Sequence, residues 1–462
     1  MSGLSDALAS LEQLADGAVG DLLEFVRIPS VSADPAHAGD MADGAAWLQS
    51  RLERAGFPEV HIHETVGHPV VVARWHPHAA APTVLVYGHY DVQPPDPLSE
   101  WDSPPFEPEI RDGKLYGRGA SDDKGGVITA LLAIEAAVAA SGVPPVNLTL
   151  LIEGEEETGS PSLPAFLEQN RELLAADVAL SADGVIFDVG RPSLTLASRG
   201  VVDLEIAVRG ANRDLHSGMY GGIVANPALA LSRILSSLQD PDGVVLVQGF
   251  HDGIPELGAA ERTGVAAMPY AADEAQRLGL DGWWGDPAFA PAERRLLRPT
   301  LEVNGLWSGY QGPGSKTVIP AEAFAKITCR LVEGQDPDAV LDGLRRHILA
   351  VVPPGVTVEL QQLGGGAAAY TMPPDLPLLD VARRSLQETF GVEPVVAWEG
   401  GTIPIAASIR NTLGIWFLFY AFGEPDNLQH APNEFYRVGM LEQGAEATVR
   451  LLYDLAAGAE IQ

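Results

Sequence analysis

At 462 residues, 46% of them hydrophobic, the chain is too long for one core of ordinary size and apolar enough to bury two without outside help. Its 62 acidic residues against 29 basic ones give a formal net charge of −33, which excludes nucleic acid and anionic membrane surfaces as partners, because both require a basic patch that releases counterions. Cys329 is the single cysteine, which excludes an intrachain disulfide and a thiolate metal cluster, so any metal has to be held by His, Asp and Glu.

Apolar spacing predicts an opening helix over 4–26, halted by Pro29, and a second over 41–55. The N-terminal stretch to Asp21 carries acidic residues and no basic segment ahead of an apolar one, and no apolar run is expected to reach spanning length. The cytoplasm is therefore the expected compartment. Strands are predicted over 60–63 and 70–75. His61, His63, His68, His76 and His78 cluster in this region but lack carboxylates in ordered motifs, so they read as ordinary strand and loop histidines more readily than as metal ligands.

The apolar run 83–87 ends in Gly88-His89-Tyr90-Asp91, the run 147–152 ends in Glu153-Gly154-Glu155-Glu156-Glu157, and 178–181 is followed by Asp183. Three apolar strands that each deliver polar residues at the C-terminal end describe a parallel sheet with its site at the strand tips. An alanine-rich helix predicted over 126–141 supplies a crossover. From about residue 198 the texture changes to alternating strands, over 201–208, 323–331 and 356–360, with helices over 226–238 and 337–351, which marks a separate α+β unit. Residues 253–298 have weak periodicity and are expected to form an irregular excursion. Gly364-Gly365-Gly366 and Pro373-Pro374 mark the return, after which a helix over 376–390 and a strand over 414–420 rejoin the first domain. The fold class is thus α/β, with a mixed, largely parallel sheet flanked by helices. The expected divisions are a catalytic domain in two parts, 1–197 and 366–462, and an inserted unit, 198–365.

The chemistry lies in segments that are individually weak. In His89-Tyr90-Asp91 a strand-end histidine two residues before an aspartate suits an imidazole oriented by a carboxylate. Helix capping would explain Asp122-Asp123 in isolation, and Glu155-Glu156-Glu157 could be a solvated acidic turn. Their conjunction decides, because they fall in order at the ends of successive strands of one sheet. Two adjacent metals need a bridging carboxylate, a histidine and a further carboxylate each, and a base beside the attacking water. The supply matches that demand, with His430 as the late second histidine. Arg330, between Cys329 and Leu331 on a predicted strand, is costly among apolar neighbours unless it meets an anion, with a salt bridge as the plain alternative. The glycine-rich Gly309 to Thr317 segment is not a P-loop, since Ser315 separates Gly314 from Lys316 and Pro313 has no amide donor.

Gly88-His89-Tyr90-Asp91-Val92-Gln93-Pro94, Gly117-Arg118-Gly119-Ala120-Ser121-Asp122-Asp123-Lys124-Gly125, the Glu153 to Gly159 run, Asp214-Leu215-His216-Ser217-Gly218, Lys316-Thr317-Val318-Ile319-Pro320 and Glu399-Gly400-Gly401-Thr402-Ile403-Pro404 resemble the co-catalytic metallopeptidase family of carnosinases, aminoacylases and glutamate carboxypeptidases. The order and spacing hold over nearly the whole chain. Within the family, Trp101-Asp102-Ser103-Pro104-Pro105-Phe106 and Asp-Leu-His-Ser-Gly are most similar to the cytosolic nonspecific dipeptidase and carnosine dipeptidase branch.

The resemblance implies that Asp122 bridges two divalent metals per subunit, that His89 and Asp183 complete one site, and that Glu157 and His430 complete the other. It makes Glu156 the general base and Asp91 the group that orients His89, with Glu155 leaving a one-residue shift in register open. The peptide between Asp122 and Asp123 is implied to be cis. His216 is implied to serve the oxyanion in a partner subunit, and Arg330, with Thr317 and Thr402, to grip the terminal carboxylate of a small peptide substrate. Zn²⁺ fits the ligand set and Mn²⁺ accepts the same donors. The inserted unit is implied to be a lid and a homodimerisation domain. A dipeptidase is the expected activity; an N-acyl-amino-acid deacylase or desuccinylase with the same metal centre is the alternative.

Overall fold

The computed structural model describes residues 2–268 and 274–461. They form two compact units, the first built from Met1–Leu196, Met372–Ala397 and Ser408–Gln462, the second from Ala197–Thr371 and Trp398–Ala407.

The first unit opens with helix α1, Ser2–Val26, and α2, Ala38–Arg54. Both begin a few residues ahead of the expected bounds; in α2 the added residues, Ala38, Gly39 and Asp40, are exposed or half-buried and carry no hydrophobic signal. Strands β1 (Glu59–His63), β2 (Val70–Trp75) and β3 (Thr83–His89) lead to helix α3 (Lys124–Ser141), then β4 (Asn147–Glu153) and β5 (Val178–Ser181). In the sheet, β1 and β2 pair antiparallel, β2 pairs antiparallel with β4, and β4, β3 and β5 run parallel. Every residue of β4 and β5 is buried, which is why these strands read as continuous apolar runs with no alternation.

Helix α3 is the crossover between β3 and β4. It is apolar all round and is long and apolar enough to cross a membrane by length and composition alone, which corrects the expectation that no such run exists. About two-thirds of it, 67%, is buried inside the protein, so it is a core helix. Its first residue, Lys124, is fully buried, with its ammonium donating to the carbonyls of Phe25 at 3.0 Å and Ile28 at 2.7 Å. Those bonds anchor the start of α3 to the end of α1.

The second unit contains β6 (Gly200–Arg209), helix α4 (Pro227–Ser236), β7 (Thr300–Ser308), β8 (Glu322–Leu331), helix α5 (Pro337–Ala350) and β9 (Thr357–Gln362). The sheet order is β7-β8-β6-β9, all antiparallel. Alternate residues of one face, among them Val202, Leu204, Ile327 and Cys329, form a core with Leu231, Ile234, Leu341 and Leu344 of the helices. Strand β7 is absent from the expected elements. It is an edge strand with only Leu301 fully buried, so it offers no clean alternation to read. Arg330 differs from expectation in one respect. Cys329 and Leu331 point into the core, whereas Arg330 lies on the opposite, polar face across from Thr300 and Val201, so it is not surrounded by apolar side chains.

The 253–298 excursion holds short helices, Ala259–Ala267, Glu274–Arg277 and Pro291–Leu296, with 269–273 outside the described residues. The chain then returns to the first unit through α6 (Pro377–Phe390), β10 (Trp416–Phe419) and the long helix α7 (Val438–Ala456). Strand β10 adds parallel to β5, and α7 packs on α1 and α3.

Candidate metal centre

The tips of the parallel strands gather the acidic and imidazole groups. At the end of β3, His89 is fully buried. Its Nδ1 lies 3.1 Å from the carbonyl of Asp91 and 3.3 Å from the Asp91 carboxylate, so Nδ1–H donates there and Nε2 is the nitrogen that faces the other carboxylates and can bind a cation once its proton is lost. That Nε2 faces Asp122 at 3.1 Å and Asp183 at 4.0 Å. The Asp91 carboxylate is itself fixed: it accepts from the Ser32 hydroxyl at 2.6 Å and from the backbone N–H groups of Glu156 at 3.2 Å and Glu157 at 3.1 Å. One buried aspartate thus orients His89 and pins the glutamate turn beyond β4.

The peptide between Asp122 and Asp123 is cis. Asp123 stands at the N-cap position of α3, yet its side chain does not cap the helix. Its carboxylate instead accepts the N–H of His89 at 3.2 Å, which removes helix capping as the explanation for the aspartate pair. Gly88 is required here, since a Cβ at that position would come within 2.8 Å of the Asp123 carboxylate. Glu155 turns to the N–H of Ser162 at 3.3 Å, while Glu157 enters the cluster.

The last of these groups comes from the tail. His430 Nε2 is 2.9 Å from Asp122 and 3.2 Å from Glu157. The loop that carries it contains three non-glycine residues in the left-handed region, Leu428 (φ 57°), His430 (φ 59°) and Asn433 (φ 64°). Gln93, which sequence reasoning passed over inside its own motif, donates to the Glu157 carboxylate at 2.8 Å.

Two groups of potential ligand atoms result, His89 with Asp122 and Asp183, and Asp122 with Glu157 and His430, each with its atoms within 4.8 Å of one another. Metal–ligand bonds of about 2.0–2.2 Å place tetrahedral neighbours roughly 3.3–3.6 Å apart, and the separations of 2.9–4.0 Å found here bracket that spacing. Electrostatics agree. Burial, then the charge of Asp122, push the Asp183 carboxyl up to about 7. Burial likewise raises Glu156 well above the usual carboxylate range, reinforced by Asp183 and Asp122 and opposed by His89. Asp122 goes the other way, because hydrogen bonds from His430 and His89 more than offset its burial and hold it well below that range. A crowded, desolvated set of carboxylates of this kind is relieved by cations, so the donor set fits a pair of divalent metals.

The remaining predicted residues belong to the second unit. His216 is exposed and its Nδ1 accepts the N–H of Gly218 at 3.0 Å, while the adjoining Ser217 N–H donates to the carbonyl of exposed Thr317 at 3.1 Å. Arg330 donates to the Thr402 hydroxyl at 2.6 Å. Arg199 closes the same loop by donating to the carbonyl of Gly400 at 3.0 Å. Of the early histidines, His68 bonds the Ser32 carbonyl at 3.1 Å, His76 the Thr149 hydroxyl at 3.0 Å and His78 the Pro144 carbonyl at 2.8 Å. None of these joins a ligand group among the described residues.

The model of peptidase family M20/M25/M40 matches residues 85–454. The chain is 29% identical over 464 aligned positions to a Cys-Gly metallodipeptidase of Schizosaccharomyces pombe, covering 97% of each. Among solved structures it is similar to an M20 family metallo-carboxypeptidase from Sulfolobus solfataricus (TM-score 0.83, 32% identity, 95% of this chain and 99% of that one). It is also similar to human carnosine dipeptidase 1 (TM-score 0.78, 27% identity, 98% and 99%).

Proposed function

The chain belongs to peptidase family M20/M25/M40, a family of metal-dependent hydrolases, and from that premise we propose that it is a dipeptidase acting on dipeptides with a free C-terminal carboxylate. The observation that carries the reading is the pair of ligand groups joined at Asp122 with Glu156 beside them.

In this proposal His89, Asp122 and Asp183 hold one cation, and Asp122, Glu157 and His430 hold the other; when bound, the pair polarises the scissile carbonyl and makes a water nucleophilic at neutral pH. Zn²⁺ is the first choice, with Mn²⁺ able to use the same donors. Glu156, whose proton affinity is raised by burial and by the neighbouring carboxylates, takes the proton of the attacking water and delivers it to the departing amine. Asp91 keeps the Nδ1 proton on His89 and so reserves Nε2 for the metal. The resemblance assigns carboxylate recognition to Arg330 with Thr317 and Thr402, and oxyanion stabilisation to His216 acting in the partner of a homodimer. The hydrogen bond between Arg330 and Thr402 supports the first of these. In this reading the inserted unit, assigned to 198–365, acts as lid and dimerisation module and the enzyme works in the cytoplasm, where buried Cys329 remains a thiol.

The test is a substrate panel run on metal-stripped and metal-restored protein. Dipeptides should be cleaved only after restoration with Zn²⁺, Mn²⁺ or Co²⁺, with about two ions per subunit. Dipeptide amides, and dipeptides offered to Arg330→Ala, should each lose roughly 30-fold to several thousand-fold in kcat/KM, as removal of one partner of a charge pair predicts. Cleavage of N-acetyl or N-succinyl amino acids in place of dipeptides would make the protein a deacylase, and full activity without metal would end the reading.

A further inference from the structure

Loops from distant parts of the chain meet at one buried carboxylate. Glu434 is fully buried and its two oxygens take four donors. One oxygen accepts the Arg118 guanidinium at 2.7 Å and the Gly119 N–H at 2.9 Å; the other accepts the N–H groups of Ser121 at 2.8 Å and Asp122 at 3.1 Å. The Glu434 carbonyl also receives the N–H of Gly117 at 3.0 Å. From the same tail loop, Asn427 and Gln429 donate to the Ser121 hydroxyl at 2.8 Å and 3.3 Å. Glu434 belongs to neither ligand group and has no part in the catalytic steps above.

We propose that Glu434 is a positioning residue for both metal ions, fixing the backbone of the shared ligand Asp122 and locking it to the loop that presents His430. The inference rests on the two-metal reading of the site. Its physical basis is that buried N–H groups need acceptors, and here those of residues 119, 121 and 122 converge on a single carboxylate. The loop can hold its shape only while both oxygens accept. Glutamine fails this demand in either orientation, because its NH₂ must face two donors. Aspartate keeps both acceptors and the charge but is one methylene short, so it should preserve part of the arrangement.

The experiment uses the full chain, stripped of metal and titrated with Zn²⁺ alone against a chromophoric chelator, alongside thermal unfolding of the metal-free forms. Glu434→Gln should weaken both ions by roughly 10–100-fold, the range found when a group supporting a metal ligand is removed. Glu157→Gln, in contrast, should weaken chiefly one. Glu434→Asp should recover part of the affinity lost in Glu434→Gln. The inference is overturned if Glu434→Gln binds both ions as tightly as the wild type, if it loses only one, or if neither Glu434 variant folds, since the carboxylate would then serve the fold alone. A wild type that binds fewer than two ions overturns the metal-centre reading and this inference with it; tight binding by Glu434→Gln overturns the inference alone.

Discussion

Glu156 and Glu157 are neighbours in sequence with different proposed tasks, and the same substitution should separate them. Glu156→Gln should keep both metals and lose roughly 10²–10⁴-fold in kcat, as expected for a general base, whereas Glu157→Gln should lose one metal on elemental analysis. The reverse outcome would shift the register of the acidic turn by one residue. Protons should also compete with metal at His430. In the metal-free protein, hydrogen bonds to Asp122 and Glu157 push that imidazole up to about 10 from an ordinary 6.5. Because the folded value lies above the unfolded one, its contribution to the metal-free fold is complete below 6.5 and is lost as pH rises through about 10. Metal affinity moves oppositely, rising with pH until the proton has gone. Calorimetry at pH 7 in buffers of different ionisation enthalpy should therefore record proton release on Zn²⁺ binding, and its absence would mean that His430 is already neutral. His89 and Asp183 were legible in sequence because each ends or follows an apolar run, and Asp122 only through the adjacent pair Asp122-Asp123. Gln93 and Glu434 were not, since their partners lie 64 and 316 residues away and their side chains have no periodic or compositional mark.

Among the elements, α3 ties the sheet to the site through its first turn. A Cβ on Gly126 would come within 2.1 Å of the Asp123 carboxylate and 2.3 Å of the Ala182 carbonyl, so an alanine has to push the helix away from both. Asp123 supports the His89 backbone and Ala182 precedes Asp183, which directs the damage towards one ligand group. Gly126→Ala should cost about 1–3 kcal/mol, the usual range for overpacking, seen as a lower unfolding temperature. It should weaken the ion of His89 and Asp183 more than that of Glu157 and His430; equal weakening of the two would mean that the strain spreads beyond the first turn. The same element shows why the parallel strands were predictable and β7 was not. Strands β4 and β5 are buried on both sides, and their hydrophobic runs declare them. Strand β7 leaves Val303 and Leu306 exposed at a sheet edge, where burial imposes no pattern.

For the whole molecule, the proposed homodimer makes a test that neither subunit could pass alone. Inactive His216→Ala subunits mixed with inactive Glu156→Gln subunits should recover part of the activity, because one site of each mixed dimer would contain both intact residues. No recovery after proven subunit exchange would remove His216 from a partner's site. The expected inserted unit rests on a change of texture near residue 198, and the second compact unit begins at Ala197. The return was harder to read: Trp398–Ala407 groups with the second unit although it follows a helix and a strand of the first, and only tertiary contacts reveal that excursion. The 308 residues that separate Asp122 from His430 also order events in time. His89, Asp122 and Asp183 leave the ribosome early, and the stretch from Asp183 to His430 then takes roughly 10–50 s at about 5–20 residues per second. During that interval a nascent chain owns the parts of one ligand group and lacks a member of the other. In the two-metal reading the first ion can be held only loosely until Glu434 arrives with the tail, and its companion has to wait for His430.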